Sequence, residues 1–281
     1  MVFWMKLIEN KTYDEERALY GLNDLHLYKC SFDGFADGES ALKESNHIFV
    51  EKCFFNLRYP FWHVHDLRIM ESEMTPLCRA ALWYSHHIEI IDTKIQGIKA
   101  LRECSDAKLR QCDVNSSEFG WFGHNIQMEN CSAQSEYFML QSDNLTFRDV
   151  QLNGKYSFQY IKDSFFENCL FDTKDAFWHA QNVFVRNSVL SGEYLGWYSD
   201  CLTLENCKII GTQPLCYCTN LRLINCEMIK TDLCFEKSDV VATISAPVVS
   251  IKNPRSGRIE IPEVGEIIRD DPNSHGKIVL S

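Results

Sequence analysis

Seven positions, Cys112, Cys131, Val150, Cys169, Ser188, Cys207 and Cys226, recur at a constant interval of 19 residues. Each stands in the same local phrase: LRQCDV, MENCSA, FRDVQL, FENCLF, VRNSVL, LENCKI, LINCEM. With small insertions the register runs back through Thr93, Ser72, Cys53 and Cys30. A fixed period near twenty with one apolar and polar wording constrains a chain to a solenoid, because each repeat buries its inner face only against its neighbours.

Inside the repeat the alternation has period two, as in Val183-Phe184-Val185, which identifies a strand with one face inward. One inward column is then Ile88, Ala107, Ile126, Leu145, Ser164, Val183, with Ile90, Leu109, Met128, Phe147, Phe166, Val185 two residues on. A further inward column holds Val114, Ala133, Leu152, Phe171, Leu190. Between these strands stands a polar corner, Asn130, Asp149, Asn168, Asn187, Asn206, Asn225. Asn tolerates bent backbone, and stacked amides can hydrogen-bond from coil to coil. The expected fold is all-β, a single-stranded parallel β-helix of roughly eleven coils. It forms one domain over residues 1–281, with an N-terminal cap over 1–24, coils over 25–250 and a C-terminal cap over 251–281.

The bulk numbers restrict the setting. A chain that is 45% hydrophobic and 24% charged folds, and it has no apolar stretch long enough to cross a bilayer. A formal net charge of −11 argues against nucleic-acid or anionic-membrane partners. The opening MVFWMKLIENKTYDEERALYGL meets charge too early for a secretory signal, so a cytoplasmic location is expected. Most of the 13 cysteines belong to the ladder, where sulfur alternates with Ser, Thr and Val as a small buried side chain. Stacked strands about 4.8 Å apart hold Cβ atoms too far apart for a disulfide, so these thiols should stay reduced. Cys216 and Cys218 form a lone CxC, with no paired CxxC or His spacing. No metal and no cofactor are expected.

A 19-residue coil with Asn-containing corners resembles the right-handed, pectin-lyase-like β-helix. The phrases DGESALKES (37–45), KDAFWHAQNVFVRNS (174–188), SGEYLGWYS (191–199) and KNPRSG (252–257) resemble an uncharacterised bacterial family of single-domain right-handed β-helix proteins, a domain of unknown function. The resemblance implies the fold and a bacterial cytosolic setting. It supplies no reaction and no catalytic residue.

Function has to be sought where the chain leaves its own rule. The interval from Cys30 to Cys53 is 23, with the surplus in the run Phe32 to Ser40, and Ser72 to Thr93 is 21, with the surplus near Thr75 to Arg79. Extra residues leave a solenoid as loops on one side, and such loops often bind. The DGFADGE run resembles a calcium loop in composition but lacks the later bidentate Glu. A second departure is a column that reads Lys43, Trp62, Trp83, Arg102, Trp121, Leu140, Gln159, Trp178, Trp197, Cys216, Phe235. The preceding column, Leu42, Phe61, Leu82, Leu101, Gly120, Met139, Phe158, Phe177, has no polar side chain. If the apolar column faces inward, the tryptophans face out, and a slip of one residue would make them core.

An outward row of Trp with flanking polar groups suits a sugar ring or another small polar ligand. The densest candidate set is Trp178, His179, Trp197 and Tyr198 with Lys155, Lys174, Asp175 and Glu193; the second is Trp62, His63 and Trp83 with Arg79, Asp37, Glu39 and Lys43. The leading expectation is a carbohydrate or small polar ligand on this aromatic face. A carbohydrate-active enzyme (lyase, hydrolase or isomerase) is one alternative, although no carboxylate pair matches a catalytic motif. A protein-interaction scaffold that forms a homo-oligomer through the aromatic face is the other.

Overall fold

A strict period requires equivalent residues of successive coils to become strand neighbours, and they do. Ile88, Ala107 and Ile126 lie in register on adjacent parallel strands, as do Ser164, Val183 and Leu202. The computed structural model describes residues 5–281, which form strands and turns with no helix. The architecture is an all-β parallel β-helix of the right-handed type with a repeat of about 19 residues. The chain divides into two compact units, Met1–Phe138 and Met139–Ser281.

In the first unit each coil has one long strand, such as Asn46–Glu51, His65–Met70 and His86–Ile91, stacked parallel on the next. After a corner comes a short strand, such as Phe54–Phe55, Glu73–Met74 and Lys94–Ile95, in a second parallel ladder. The second unit repeats the plan with Lys162–Glu167, Gln181–Arg186 and Asp200–Glu205 as long strands.

The turn count is about 14, more than the roughly eleven expected. Stretches read as caps contain strands of the same ladder: Lys6 pairs with Leu25 and Arg258 with Lys277, both at the standard interval. These end strands are mostly exposed or half-buried, with the pattern KLIE at one end and KIVL at the other. A terminal coil is covered on one side only, so its side chains need not be apolar and the phrase fades while the backbone ladder continues. Residues 1–4 of the expected N-terminal cap lie outside the described residues.

All the predicted inward positions are buried, including Ala107, Ile126, Phe147, Phe166, Phe171 and Leu190. Each such aliphatic or aromatic side chain contributes about 1.5–3 kcal/mol. The corners are made by left-handed residues, one column of them at the polar corner: Lys52, Glu71, Asp92, Gln111 and Asn130 in the first unit, Asn168, Asn187, Asn206 and Asn225 in the second, with φ between 46° and 55°. This conformation costs an L-residue about 1–2 kcal/mol, least for Asn, Asp and His. The amides offset it by bonding along the ladder, Asn206 Nδ2 to Asn187 Oδ1 at 3.3 Å and Asn225 Nδ2 to Asn206 Oδ1 at 2.9 Å.

The small slot after this corner does more than pack. The backbone N–H of Cys169 donates to Ser188 Oγ at 2.9 Å, and that of Cys53 to Ser72 Oγ at 3.0 Å, while Ser188 and Ser72 donate to the carbonyls of Arg186 and Met70. Thiols take the same place, with Cys30 N–H donating to Cys53 Sγ at 3.3 Å. All 13 cysteines are free thiols, and all except Cys201 are buried. Burial pushes the Cys53 thiol up to about 12 and the Cys169 thiol up to about 11, which keeps both protonated.

Candidate functional site

The apolar column is the inner one. Leu42, Phe61, Leu82, Leu101, Phe158 and Phe177 are fully buried, and Trp62, Trp83, Trp121, Trp178 and Trp197 lie half-buried outside them, whereas Cys216 and Phe235, the last members of the tryptophan column, are buried rather than outward. Tryptophan faces in this column meet rings or cations of neighbouring coils, except where Leu140 follows Trp121 and Gln159 precedes Trp178. Trp62 stacks on Trp83 with centroids 5.5 Å apart, and Trp178 on Trp197 at 5.5 Å and 4°. Lys43 Nζ sits 4.4 Å over the Trp62 ring, and the Arg102 guanidinium lies between Trp83 and Trp121 at 5.5 and 5.4 Å. Three of the indole N–H groups are spent as well: Trp121 donates to Tyr137 O, Trp178 to Tyr194 O and Trp197 to Gln213 O, at 3.0, 2.8 and 2.7 Å. Each reaches 16 residues ahead to a carbonyl on the next coil, and Gln159 Nε2 does the same to Asp175 O. The column therefore straps one coil to the next. Its donor role was readable in principle, since Gln shares the column with Trp and both carry a terminal N–H.

The polar members of the second-unit set are paired locally. Lys174 Nζ bonds Glu193 at 2.9 Å and lies over Tyr194, and Lys155 Nζ lies over Tyr156. Asp175 is buried, with its backbone N–H donated to Glu193 O; burial raises its carboxyl above the ordinary range although Lys174 opposes this. In the first unit His63 Nδ1 contacts Glu44 at 2.7 Å, and Asp37 and Glu39 both hold Arg58. Arg79 is exposed, and its backbone carries the loop turn through an N–H donated to Leu77 O. The 33–40 loop thus closes on Arg58, while Lys43, Trp62 and Trp83 form a stack of their own.

A second aromatic column lies one residue further on, at the left-handed corner that leads into the long strand. In the second unit it reads Gln141, Tyr160, His179, Tyr198, Tyr217, with φ from 52° to 60°. The rings form a continuous stack: Tyr160 on His179 at 4.8 Å, His179 on Tyr198 at 5.1 Å, Tyr198 on Tyr217 at 4.9 Å, all within 13° of parallel. Tyr160 and Tyr198 are nearly half exposed, 45% and 46%. The stack stops at Tyr160, because the preceding coil supplies Gln141 in place of a ring.

That missing ring opens a groove of about 500 Å³ lined by Gln141, Ser142, Asp143, Tyr160, Lys162, His179 and Gln181. Asp143, Lys162 and Gln181 are strand neighbours on consecutive coils, which lines up a carboxylate, an ammonium and an amide beside the phenol. Two comparable grooves differ in chemistry. One, of about 460 Å³, runs over Lys52, Glu71 and Asp92 and is crossed by the Lys52–Glu71 ion pair at 3.6 Å. The other, of about 450 Å³, follows the Asn187, Asn206, Asn225 ladder and contains no aromatic ring. Of the expected ligand residues, only His179 lines the Tyr160 groove. Tyr160, Lys162 and Gln181 were missed, because reading along the tryptophan column hid the end of the neighbouring one. Among the described residues no group of three or more His, Cys, Asp or Glu could hold a metal ion.

The chain belongs to the family described as Protein of unknown function (DUF3737), whose model matches residues 6–280. A search of the curated proteins found no match. Among solved structures the chain is similar to the A-module of the Azotobacter vinelandii mannuronan C-5 epimerase AlgE4, with 8% identity over 97% of this chain and 89% of that one, TM-score 0.34. It is also similar to QnrB1, a plasmid-mediated fluoroquinolone resistance protein, with 14% identity over 83% and 92%, TM-score 0.23. The periplasmic alginate epimerase AlgG gives 9% identity over 99% and 74%, TM-score 0.25. At scores and identities this low, none of these likenesses bears on chemistry.

Proposed function

We propose that this family member binds a sugar or a similar small polar ligand in the groove at the end of the Tyr160 stack. The observation that carries the reading is the interrupted column. A ring in the middle of a stack has both faces covered, whereas Tyr160 has one face on His179 and the other toward Gln141, which has no ring. A pyranose packs its C–H face on such a ring while its hydroxyls bond to groups at the rim. Here the rim supplies a carboxylate acceptor, an ammonium donor and two amides, Asp143, Lys162, Gln141 and Gln181. The groove volume is of the size that takes a small ligand. The tryptophans brace the coils on which this corner is mounted.

The test is saturation-transfer NMR of the intact protein against a panel of mono- and oligosaccharides, repeated with Tyr160→Ala. Binding that disappears in Tyr160→Ala and persists in Tyr217→Ala, at the far end of the stack, supports the reading. Binding unaffected by Tyr160→Ala, or absent from the whole panel, rejects it.

A further inference from the structure

We infer that the ligand of this groove is an anionic sugar, one that carries a carboxylate or phosphate, with the acidic group read by Lys162; this rests on the groove being a sugar site. The second unit leaves several cations without a carboxylate within 4 Å among its described residues, Arg222, Lys230, Lys237 and Lys277 among them, and Lys162 is the one of these that lines the groove. Lys174 is held by Glu193, Arg186 by Glu167, Lys208 by Glu227 and Lys252 by Glu236. Lys162 lines the groove, is exposed, and makes no ion pair within 4 Å among the described residues. The nearest carboxylate on its own strand, Asp163, takes the amide of Asn182 at 2.6 Å.

In a chain of net charge −11, an ammonium left unmatched at the rim of a groove is the group that an acidic ligand would complete. The left-handed corner at Tyr160 places the phenol ring and the Lys162 ammonium on the same side of the coil, with only the inward, fully buried Ile161 between them. Asp143 on the adjacent coil excludes a ligand that is anionic throughout. The matching molecule has hydroxyls to donate to Asp143 and one acidic group directed at Lys162. Lysine meets such a group as a point charge, so carboxylate and phosphate are both accepted.

The experiment titrates the intact protein with glucose, glucuronate and glucose 6-phosphate by NMR, using wild type, Lys162→Gln and Tyr160→Ala. Both anionic sugars should bind about tenfold more tightly than glucose, the gain of one charge-assisted contact. Lys162→Gln should bring all three within about twofold of one another, and raising the salt concentration should do part of the same. If only one of the two anionic sugars shows the preference, the acid group is identified as that one. Equal affinity for all three in wild type, or a preference that survives Lys162→Gln, overturns the inference and leaves a neutral-sugar groove. No binding of any sugar, or none lost in Tyr160→Ala, overturns the groove reading and this inference together.

Discussion

The two units carry the same corner chemistry to different ends. In the first, Trp62 is sandwiched between Lys43 and Trp83, and Arg102 fills the space between Trp83 and Trp121, so cations and rings cover one another. In the second, the corner rings from Tyr217 to Tyr160 cover one another and then stop, which leaves a groove. Exposed aromatic residues on a solenoid are therefore weak evidence of a site. The evidence lies in a face that the next coil does not cover.

The comparison predicts a graded series of stabilities. Phe158→Ala, in the fully buried column, should cost about 3–5 kcal/mol by cavity formation. A denaturant titration showing less than about 1.5 kcal/mol would place the inner column wrongly. Trp197→Ala should cost about 2 kcal/mol, between core and surface, since it loses a ring stack, half its burial and the bond to Gln213. Trp197→Phe separates these contributions, because it restores a ring without the N–H donor. A neutral result in both variants would mean that the column does not brace the coils.

The His cluster of the first unit adds a pH dependence to this series. His86 is held below the ordinary imidazole range, first by burial and then by the neighbouring His65, His63 and His87, with His65 stacked on it at 5.2 Å. The unfolded chain then binds more protons at this site than the folded one between the lowered value and about 6.5. Stability should fall as the pH drops through that window. Asp106 is held low chiefly by the Asn125 amide, and its contribution is lost only at more acid pH, below about 4. Chemical denaturation of His86→Gln from pH 7.5 to 5.0 should show a shallower decline than wild type; parallel curves would refute this. The smallest effect is expected at Lys43→Ala, about 0.5 kcal/mol through loss of the cation over Trp62. A double-mutant cycle with Trp62→Phe measures that coupling directly.

What the sequence determined by itself was everything that repeats. The interval of 19, the alternation in Val183-Phe184-Val185 and the small slot at Cys169 and Ser188 impose coil, strand and inner face, because each rule is enforced about a dozen times and one polar error would bury an unmatched group. The phase of the Phe158 and Trp178 columns stayed open in the sequence, since a slip of one residue exchanges them, and the structure buries the Phe158 column. The first coil was illegible, because its strand carries Lys6 where the next coils hold Leu25, Ile48 and Leu67. Only the tertiary structure decided what each outward aromatic does. Sequence singled out Trp178 and passed over Tyr160, because ring faces and N–H groups are satisfied across coils, by atoms 16 to 19 residues away. Whether a face is left open depends on the absence of a ring one coil earlier, and that is a property of the stack.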